Sequence, residues 1–136
     1  NSNASDSQKQ AVAEIAQACG GAVCLTDESQ IDAVTAVSGS GPAYLFYLTE
    51  ALSAAAKSLG LADDTAEKLA KATIIGSAAL MEQSTETPAK LRQNVTTPNG
   101  TTAAALDVLM NEQTGFEPLM KRAVKAAKIR SEELGK

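Results

Sequence analysis

Apolar residues recur at helical spacing along most of this chain. Residues 7–18 show the pattern first, and because Gly20 and Gly21 follow, a short helix is predicted to end there. Pro42 and Pro88 each mark a further helix start, since proline fits the first turn of a helix. In all, helices are predicted over residues 7–18, 31–37, 42–59, 63 or 64 to 83, 88–95, 102–111 and 116–134, so the predicted fold is mainly α, a helical bundle.

Residues 22–25 are the one segment that departs from this pattern. They form a short apolar run, Ala-Val-Cys-Leu, between glycines and the polar Thr26, and such a run predicts a buried β-strand. A single strand leaves both of its edges unpaired, so this one would have to join a sheet outside the chain. The sequence therefore predicts one short orphan strand and indicates a piece of a larger protein.

The two longest central helices have contrasting apolar faces. The helix after Pro42 carries a stripe of leucines that includes Leu45 and Leu52, whose predicted role is packing. The next helix has a narrow face of small residues, which would let another helix approach closely. They are Ala66, Ala70, Thr73 and Ser77, with Gly76 nearby.

Composition is that of an ordinary soluble domain. The chain has 136 residues, of which 44% are hydrophobic and 21% charged, and one domain is the expectation at this length. The net charge of −4 argues against nucleic acid or an anionic membrane surface as a partner. No apolar stretch approaches the roughly 20 residues of a membrane span, and no secretion signal opens the chain. We therefore expect a cytoplasmic protein.

The chain contains no histidine, which restricts the chemistry available to it. Ser-His-Asp triads and histidine-ligated zinc are excluded, and we expect no metal site. Cys19 and Cys24 lie too far apart for a CxxC motif, so the prediction is two buried free thiols in a reducing compartment.

Two segments rich in glycine and hydroxyl groups each precede a predicted helix. The first N–H groups of a helix lack intrahelical partners, so they can bind a carboxylate or phosphate that glycine allows to come close. Plain helix capping is the alternative, and neither segment matches GxGxxG or GxxxxGK[ST]. The 38–42 segment comprises Ser38, Gly39, Ser40, Gly41 and Pro42, and the 97–102 loop comprises Thr97, Pro98, Asn99, Gly100, Thr101 and Thr102.

These two segments lie in longer motifs that resemble the C-terminal domain of pyrroline-5-carboxylate reductase. The motifs are DAVTAVSGSGPAY at residues 32–44 and LRQNVTTPNGTT at residues 91–102, and the likeness extends from residue 7 to the C-terminus. Enzymes of that family reduce a cyclic imine, pyrroline-5-carboxylate, to proline with NADPH or NADH, the last step of proline biosynthesis. The resemblance implies this oxidoreductase activity, with those cofactors and that substrate.

The resemblance also implies a domain organisation. The family has an N-terminal Rossmann domain and a helical C-terminal domain, similar to that of 6-phosphogluconate dehydrogenase, which interlocks two subunits. Residues 1–28 would then be a linker and the last helix and strand of an otherwise absent dinucleotide-binding domain, and residues 29–136 the dimerisation and substrate-binding domain. We expect an intertwined homodimer or a higher oligomer built on it, and no activity from this chain alone.

Each segment acquires a role by the same resemblance. The 38–42 segment would line the nicotinamide side of the active site. The 97–102 loop would receive the substrate carboxylate, and Thr102 would contact the imine nitrogen as the catalytic candidate. Asn99 stands where the family commonly has glycine, but asparagine tolerates a positive φ. The implied substrate-binding residues are Val95, Thr97, Asn99, Gly100, Thr101 and Thr102.

Two other interpretations remain open. One is a non-catalytic helical oligomerisation module that keeps both segments as helix caps. The other is the helical domain of a different imine or hydroxyacid dehydrogenase, a group that commonly uses a catalytic lysine, and neither segment contains one.

Overall fold

The computed structural model describes residues 3–135, and within them the chain is helical. A 3₁₀ turn, Glu28–Gln30, precedes α2, and a π-helical turn, Thr35–Gly39, joins α2 to α3. The predicted mainly α fold is confirmed, and apart from residues 31–37 the helix ends fall within two residues of prediction. The α-helices are α1 (Asp6–Cys19), α2 (Ile31–Val34), α3 (Gly41–Ser58), α4 (Asp63–Gln83), α5 (Pro88–Asn94), α6 (Thr101–Leu109) and α7 (Phe116–Leu134).

The predicted β-strand at residues 22–25 is wrong. This stretch is irregular, and residues 3–135 contain no β-strand. Val23 is 87% exposed. A short apolar run becomes a strand only when a neighbouring strand takes up its hydrogen bonds, and the described chain provides no such neighbour.

The same exposed stretch overturns the prediction of buried thiols. Cys19 and Cys24 are both free, as predicted, but both are exposed. Cys19 ends α1 and Cys24 lies in the irregular stretch, and no other part of the described chain covers either thiol.

Helices α3 and α4 form the most extensively packed pair. Gly60, with a φ of 91°, ends α3: its N–H donates to the Lys57 carbonyl at 2.9 Å, and the Leu61 N–H donates to the Ala56 carbonyl at 3.3 Å. This is a Schellman motif, which needs a positive φ that glycine adopts without strain. It turns the chain back so that α4 lies against α3.

The contact between α3 and α4 uses the small-residue face predicted for α4. Ala66 is 0% exposed and Ala70 is 2% exposed. Because alanine side chains are short, the two helix axes can approach closely. The predicted close approach is confirmed at Ala66 and Ala70, but Thr73, Gly76 and Ser77 further along the predicted face are exposed.

A second packed unit is formed by α7, which runs across α2 and the π-helical turn. The hydroxyl of Ser131 donates to an Asp32 carboxylate oxygen at 2.6 Å and so joins α7 to α2. Ala36, in the π-helical turn, is 1% exposed. By contrast, α5 and α6 make no contact of similar extent with another helix in the described part of the chain.

The chain exposes much more surface than a compact monomer of its mass would. Its accessible area is 10,778 Å². A folded monomer of 14.0 kDa is expected to expose about 6,700 Å². The buried hydrophobic residues of the described chain are Ala36, Ala66 and Ala70, while the leucine stripe of α3 stays largely at the surface. Apolar helix faces are therefore left uncovered by this chain on its own.

Replacing Ala66 with leucine should lower the free energy of unfolding by about 1–3 kcal/mol, because the added atoms must enter a site with no free space. Ala72→Leu on the same helix is the matched control, since Ala72 is exposed. We expect the control to change stability by less than about 0.5 kcal/mol. Urea unfolding followed by circular dichroism measures both, and equal losses would contradict the close packing of α3 on α4.

Candidate functional site

The 97–102 loop begins with a tight turn. The Thr97 carbonyl accepts the Gly100 N–H at 3.0 Å, and Asn99 has a φ of 58°. Proline at the second position and a positive φ at the third are the features of a type II turn. Asparagine is one of the few residues other than glycine that adopts this conformation readily. The predicted turn is formed, with Asn99 in the conformation that its sequence position requires.

Gly100 follows this turn and precedes α6. A Cβ atom at this position would collide with the Thr97 hydroxyl and would lie 3.1 Å from the Thr97 carbonyl oxygen. The close approach of the two backbone segments therefore favours glycine here. Gly100 is the N-cap residue of α6 and offers no side chain to the helix.

The first backbone amides of α6 consequently have no acceptor. The first amide of this helix with a partner is that of Ala104, which donates to the Gly100 carbonyl at 3.2 Å. Among residues 3–135, no acceptor is bonded to the N–H groups of Thr101, Thr102 or Ala103. Thr101 is exposed and the other two are half-buried. Unpaired donors and the helix dipole together make this end of α6 attractive to a carboxylate.

The chain leading into the loop is held by α5. Thr87 caps this helix, because its hydroxyl oxygen accepts the Lys90 N–H at 3.2 Å. At the other end, the Thr96 hydroxyl donates to the Arg92 carbonyl at 2.6 Å. Val95 lies between α5 and the turn with its side chain 61% exposed. The residues that enter the turn are thus fixed by local hydrogen bonds, and Val95 faces open space.

The 38–42 segment differs from the loop that the sequence predicts. The Ser40 N–H donates to the Thr35 carbonyl at 2.9 Å, five residues back, which makes a π-helical turn. The Ser38 hydroxyl donates to the Val34 carbonyl at 3.0 Å. Helix α3 then begins at Gly41, one residue before the predicted start at Pro42. Because α2 continues through this turn into α3, the segment is a helical bend.

This geometry changes what the 38–42 segment can offer to a ligand. The Ser40 amide is used inside the π-helical turn, and Pro42 has no amide hydrogen. Gly41 has open space where a Cβ would lie. The segment therefore offers a ligand a backbone surface, here called the wall, that is open at Gly41. It offers fewer free N–H donors than the start of α6.

Two hydrogen bonds that the sequence analysis missed hold this wall. The Tyr44 hydroxyl donates to the Ala36 carbonyl at 2.9 Å, and Ser131 is bonded to Asp32 as described above. Lys128 lies one turn before Ser131, and its pKa is raised by its hydrogen bond to Glu132 and the charge of that carboxylate, with a further contribution from Asp32. Tyr44 could have been noticed as a polar aromatic residue next to the segment. No local signal connects Asp32 to Ser131.

The described chain has a large cavity whose lining includes residues of neither segment. It has a volume of about 930 Å³ and lies between α6, α7 and the α2–α3 bend, with Val37, Leu48, Leu106, Leu109 and Met120 among its apolar lining. None of the predicted site residues lines it. The described chain therefore does not bring the 38–42 segment and the 97–102 loop together around this cavity.

Titratable groups offer little chemistry at either segment. Hydrogen bonds lower the pKa of Asp27, Glu67 and Glu117, and all three carboxylates are exposed and distant in sequence from both segments. The part of the chain that the structure covers has no cluster of three or more histidine, cysteine or acidic residues able to hold a metal ion. Nor does any of its helices have the length and apolar character needed to cross a membrane.

Comparisons with known proteins match most of the chain. A family model described as pyrroline-5-carboxylate reductase dimerisation matches residues 28–134. The pyrroline-5-carboxylate reductase of Pseudomonas aeruginosa is 46% identical over 134 residues, which cover 98% of this chain and 48% of that protein. That of Corynebacterium melassecola is 51% identical over 109 residues, which cover 80% of this chain and 40% of that protein.

Solved structures give the same result. A pyrroline-5-carboxylate reductase from Coxiella burnetii has a TM-score of 0.90 and 39% identity, covering 98% of this chain and 49% of that one. The pyrroline carboxylate reductase of Plasmodium falciparum, solved with NADP bound, has a TM-score of 0.80 and 32% identity, covering 100% of this chain and 51% of that one. The chain thus spans about half the length of the relatives it matches.

Substituting Asn99 should test the turn. Asn99→Ala is expected to lower the free energy of unfolding by about 1 kcal/mol, since alanine pays a steric cost at positive φ, whereas Asn99→Gly should cause no loss. Asn94→Ala is the matched control, because Asn94 ends α5 with helical backbone geometry. The measurement is urea unfolding, and an Asn99→Ala variant as stable as the Asn94→Ala variant would refute the turn geometry.

Proposed function

Because the chain belongs to the pyrroline-5-carboxylate reductase dimerisation family, we propose that it is the C-terminal part of a cytoplasmic oxidoreductase that reduces pyrroline-5-carboxylate to L-proline. The reaction transfers a hydride from NADPH or NADH to the imine carbon, and the nitrogen gains a proton. The observation that carries the proposal is the set of unpaired amides at the start of α6, in a chain that matches this family over residues 28–134.

The substrate carboxylate is assigned to the 97–102 loop. Three backbone amides, those of Thr101, Thr102 and Ala103, donate no hydrogen bond within residues 3–135. They are therefore free to donate to a carboxylate. Gly100 lets the ligand approach the backbone because it lacks a Cβ. Thr97, Asn99 and the exposed Val95 would surround the ring of the substrate. Plain capping does not account for this end of α6, since no side chain accepts from its amides.

Thr102 is assigned to the imine nitrogen. Its hydroxyl makes no hydrogen bond within residues 3–135, so it is available to the substrate. A threonine hydroxyl is a poor acid, and efficient proton donors have a pKa near the working pH. Its role is therefore to hydrogen-bond and orient the nitrogen while the imine carbon is held about 3–3.5 Å from the hydride donor.

The nicotinamide is assigned to the wall formed by the 38–42 segment. The open space at Gly41 would allow a flat ring to lie against the backbone. When bound, this cofactor supplies the hydride. The printed chain contains no GxGxxG motif, so the dinucleotide phosphates would be held by another part of the enzyme. The relative solved with NADP bound supports a nicotinamide dinucleotide as the cofactor.

Residues 1–28 are assigned to the dinucleotide-binding domain rather than to the helical one. The family match begins at residue 28, and α1 makes no extensive contact with the other helices of the described chain. Its apolar residues Val12 and Ile15 are 66% and 67% exposed. Both are free to pack on another domain.

A second copy of the chain is the proposed partner. The exposed apolar faces of α3, α6 and α7 would be buried in an intertwined homodimer, alone or within a higher oligomer. In that dimer, the 97–102 loop of one subunit would face the 38–42 segment of the other. This arrangement would complete an active site that one described chain does not assemble.

Removing the Thr102 hydroxyl should impair the reaction more than cofactor binding. In the intact reductase we expect Thr102→Ala to lower kcat/KM for the imine about tenfold or more, with the Kd of NADPH nearly unchanged, and Thr102→Ser to keep most of the activity. Thr114→Ala is the control, because Thr114 is exposed beyond the other end of α6 and bonds to Asn111. Unchanged kinetics in Thr102→Ala would remove the assigned role, and a wild-type enzyme without imine reduction would favour the oligomerisation module.

Self-association is tested separately. Sedimentation of the isolated chain should give twice the monomer mass of 14.0 kDa, or an even multiple of it for a higher oligomer. Its Tm should rise with protein concentration, because association stabilises the folded state. Leu109→Asp in the apolar cavity should shift the population to monomer, whereas Val23→Asp, outside the family match, should not. A monomeric wild type with a Tm independent of concentration would refute the homodimer.

A further inference from the structure

The π-helical turn at Thr35–Gly39 changes the backbone hydrogen bonds at the start of the 38–42 segment. In a regular α-helix, the Ser40 N–H would donate to the Ala36 carbonyl. Here it donates to the Thr35 carbonyl at 2.9 Å instead. The Ala36 carbonyl therefore lacks the backbone N–H donor that it would have in a regular α-helix.

The Tyr44 side chain replaces that donor. Its hydroxyl donates to the Ala36 carbonyl at 2.9 Å, across eight residues and in a partly buried position. Ala36 itself is 1% exposed, so water cannot readily take over this role. A buried carbonyl that is left without a donor is destabilising. The Tyr44 hydroxyl thus favours the π-helical turn over a regular helix at this position.

The position of the turn matters for the segment that follows it. An inserted residue rotates everything downstream relative to the helix upstream, and π-helical turns are frequent at functional sites for this reason. Helix α7 packs on the turn, while Tyr44 bonds to it from α3. Gly39 is the last residue of this turn, and Gly41 is the first residue of α3.

We propose that Tyr44 is a positioning residue that acts through Ala36 to fix the wall on which the nicotinamide lies. This inference rests on the proposed function, which assigns the 38–42 segment to the nicotinamide. The Tyr44 hydroxyl does not touch the reacting atoms. It sets the rotation of the 38–42 segment and hence the fit of the nicotinamide ring against Gly41.

Tyr47 supplies a matched control on the same helix. It lies one turn further along α3, is 72% exposed and has no hydrogen-bond partner in the described range. Tyr→Phe at either position removes one oxygen atom and keeps the ring. Any difference between the two variants therefore reports the bond to Ala36.

The test uses the intact reductase with NADPH and pyrroline-5-carboxylate. Tyr44→Phe should raise the KM for NADPH about three- to tenfold with little change in the KM for the imine, and amide hydrogen exchange over residues 35–41 should become faster. Tyr47→Phe should match the wild type in all three measurements. Replacing Tyr44 with 4-aminophenylalanine, which restores an N–H donor at the same place, should recover the KM for NADPH.

Each result decides the matter. Unchanged exchange in Tyr44→Phe would overturn the role of the hydroxyl in the turn. Faster exchange in Tyr44→Phe with an unchanged KM for NADPH would show that the bond is only structural. A raised KM for NADPH that 4-aminophenylalanine at position 44 does not lower would also overturn the role of the bond. A wild-type enzyme that does not reduce the imine would overturn the proposed function, and this role with it, before any variant is compared.

Discussion

The helices of this chain carry more apolar surface than they bury against one another, and the rest of the architecture follows from that excess. The total accessible surface of the chain, polar and apolar together, is 10,778 Å². That is about 4,000 Å² more than a compact monomer of its mass, against roughly 800 Å² buried per partner in an interface of standard size. Ala36, Ala66 and Ala70 are the hydrophobic residues that the described chain buries. Uncovered apolar surface of this extent is typical of helices that pack against other protein.

This constraint also explains why the two candidate segments do not meet around the cavity of one chain. The α3–α4 pair and the contact of α7 with the π-helical turn are the well-packed units, and α5 and α6 are attached to them loosely. In the proposed homodimer, α6 would be held mainly by the partner subunit, and the 97–102 loop would lie at the subunit boundary. The proposed site would then be completed only on assembly.

Without histidine, the chain offers geometry rather than acid–base chemistry. The start of α6 contributes unpaired amides, and the bend between α2 and α3 contributes a glycine wall. Hydride transfer suits such a site, because the cofactor supplies the reactivity and the protein supplies orientation. The alternative of a non-catalytic oligomerisation module explains the exposed faces equally well, but it gives no role to donors that cap nothing.

The helices and the turn at residues 97–100 could be predicted from the amino-acid sequence, because their signals are local. Gly60 ends α3, Thr87 caps α5, and Asn99 takes a positive φ, each through hydrogen bonds to residues a few positions away. The expected strand at residues 22–25 failed because strand formation needs a partner that is not local. The π-helical turn and the bond between Asp32 and Ser131, which are 99 positions apart, could not be predicted in this way. Such features depend on which helix faces pack together, and the spacing of residues along one helix does not indicate which face of another helix it will contact.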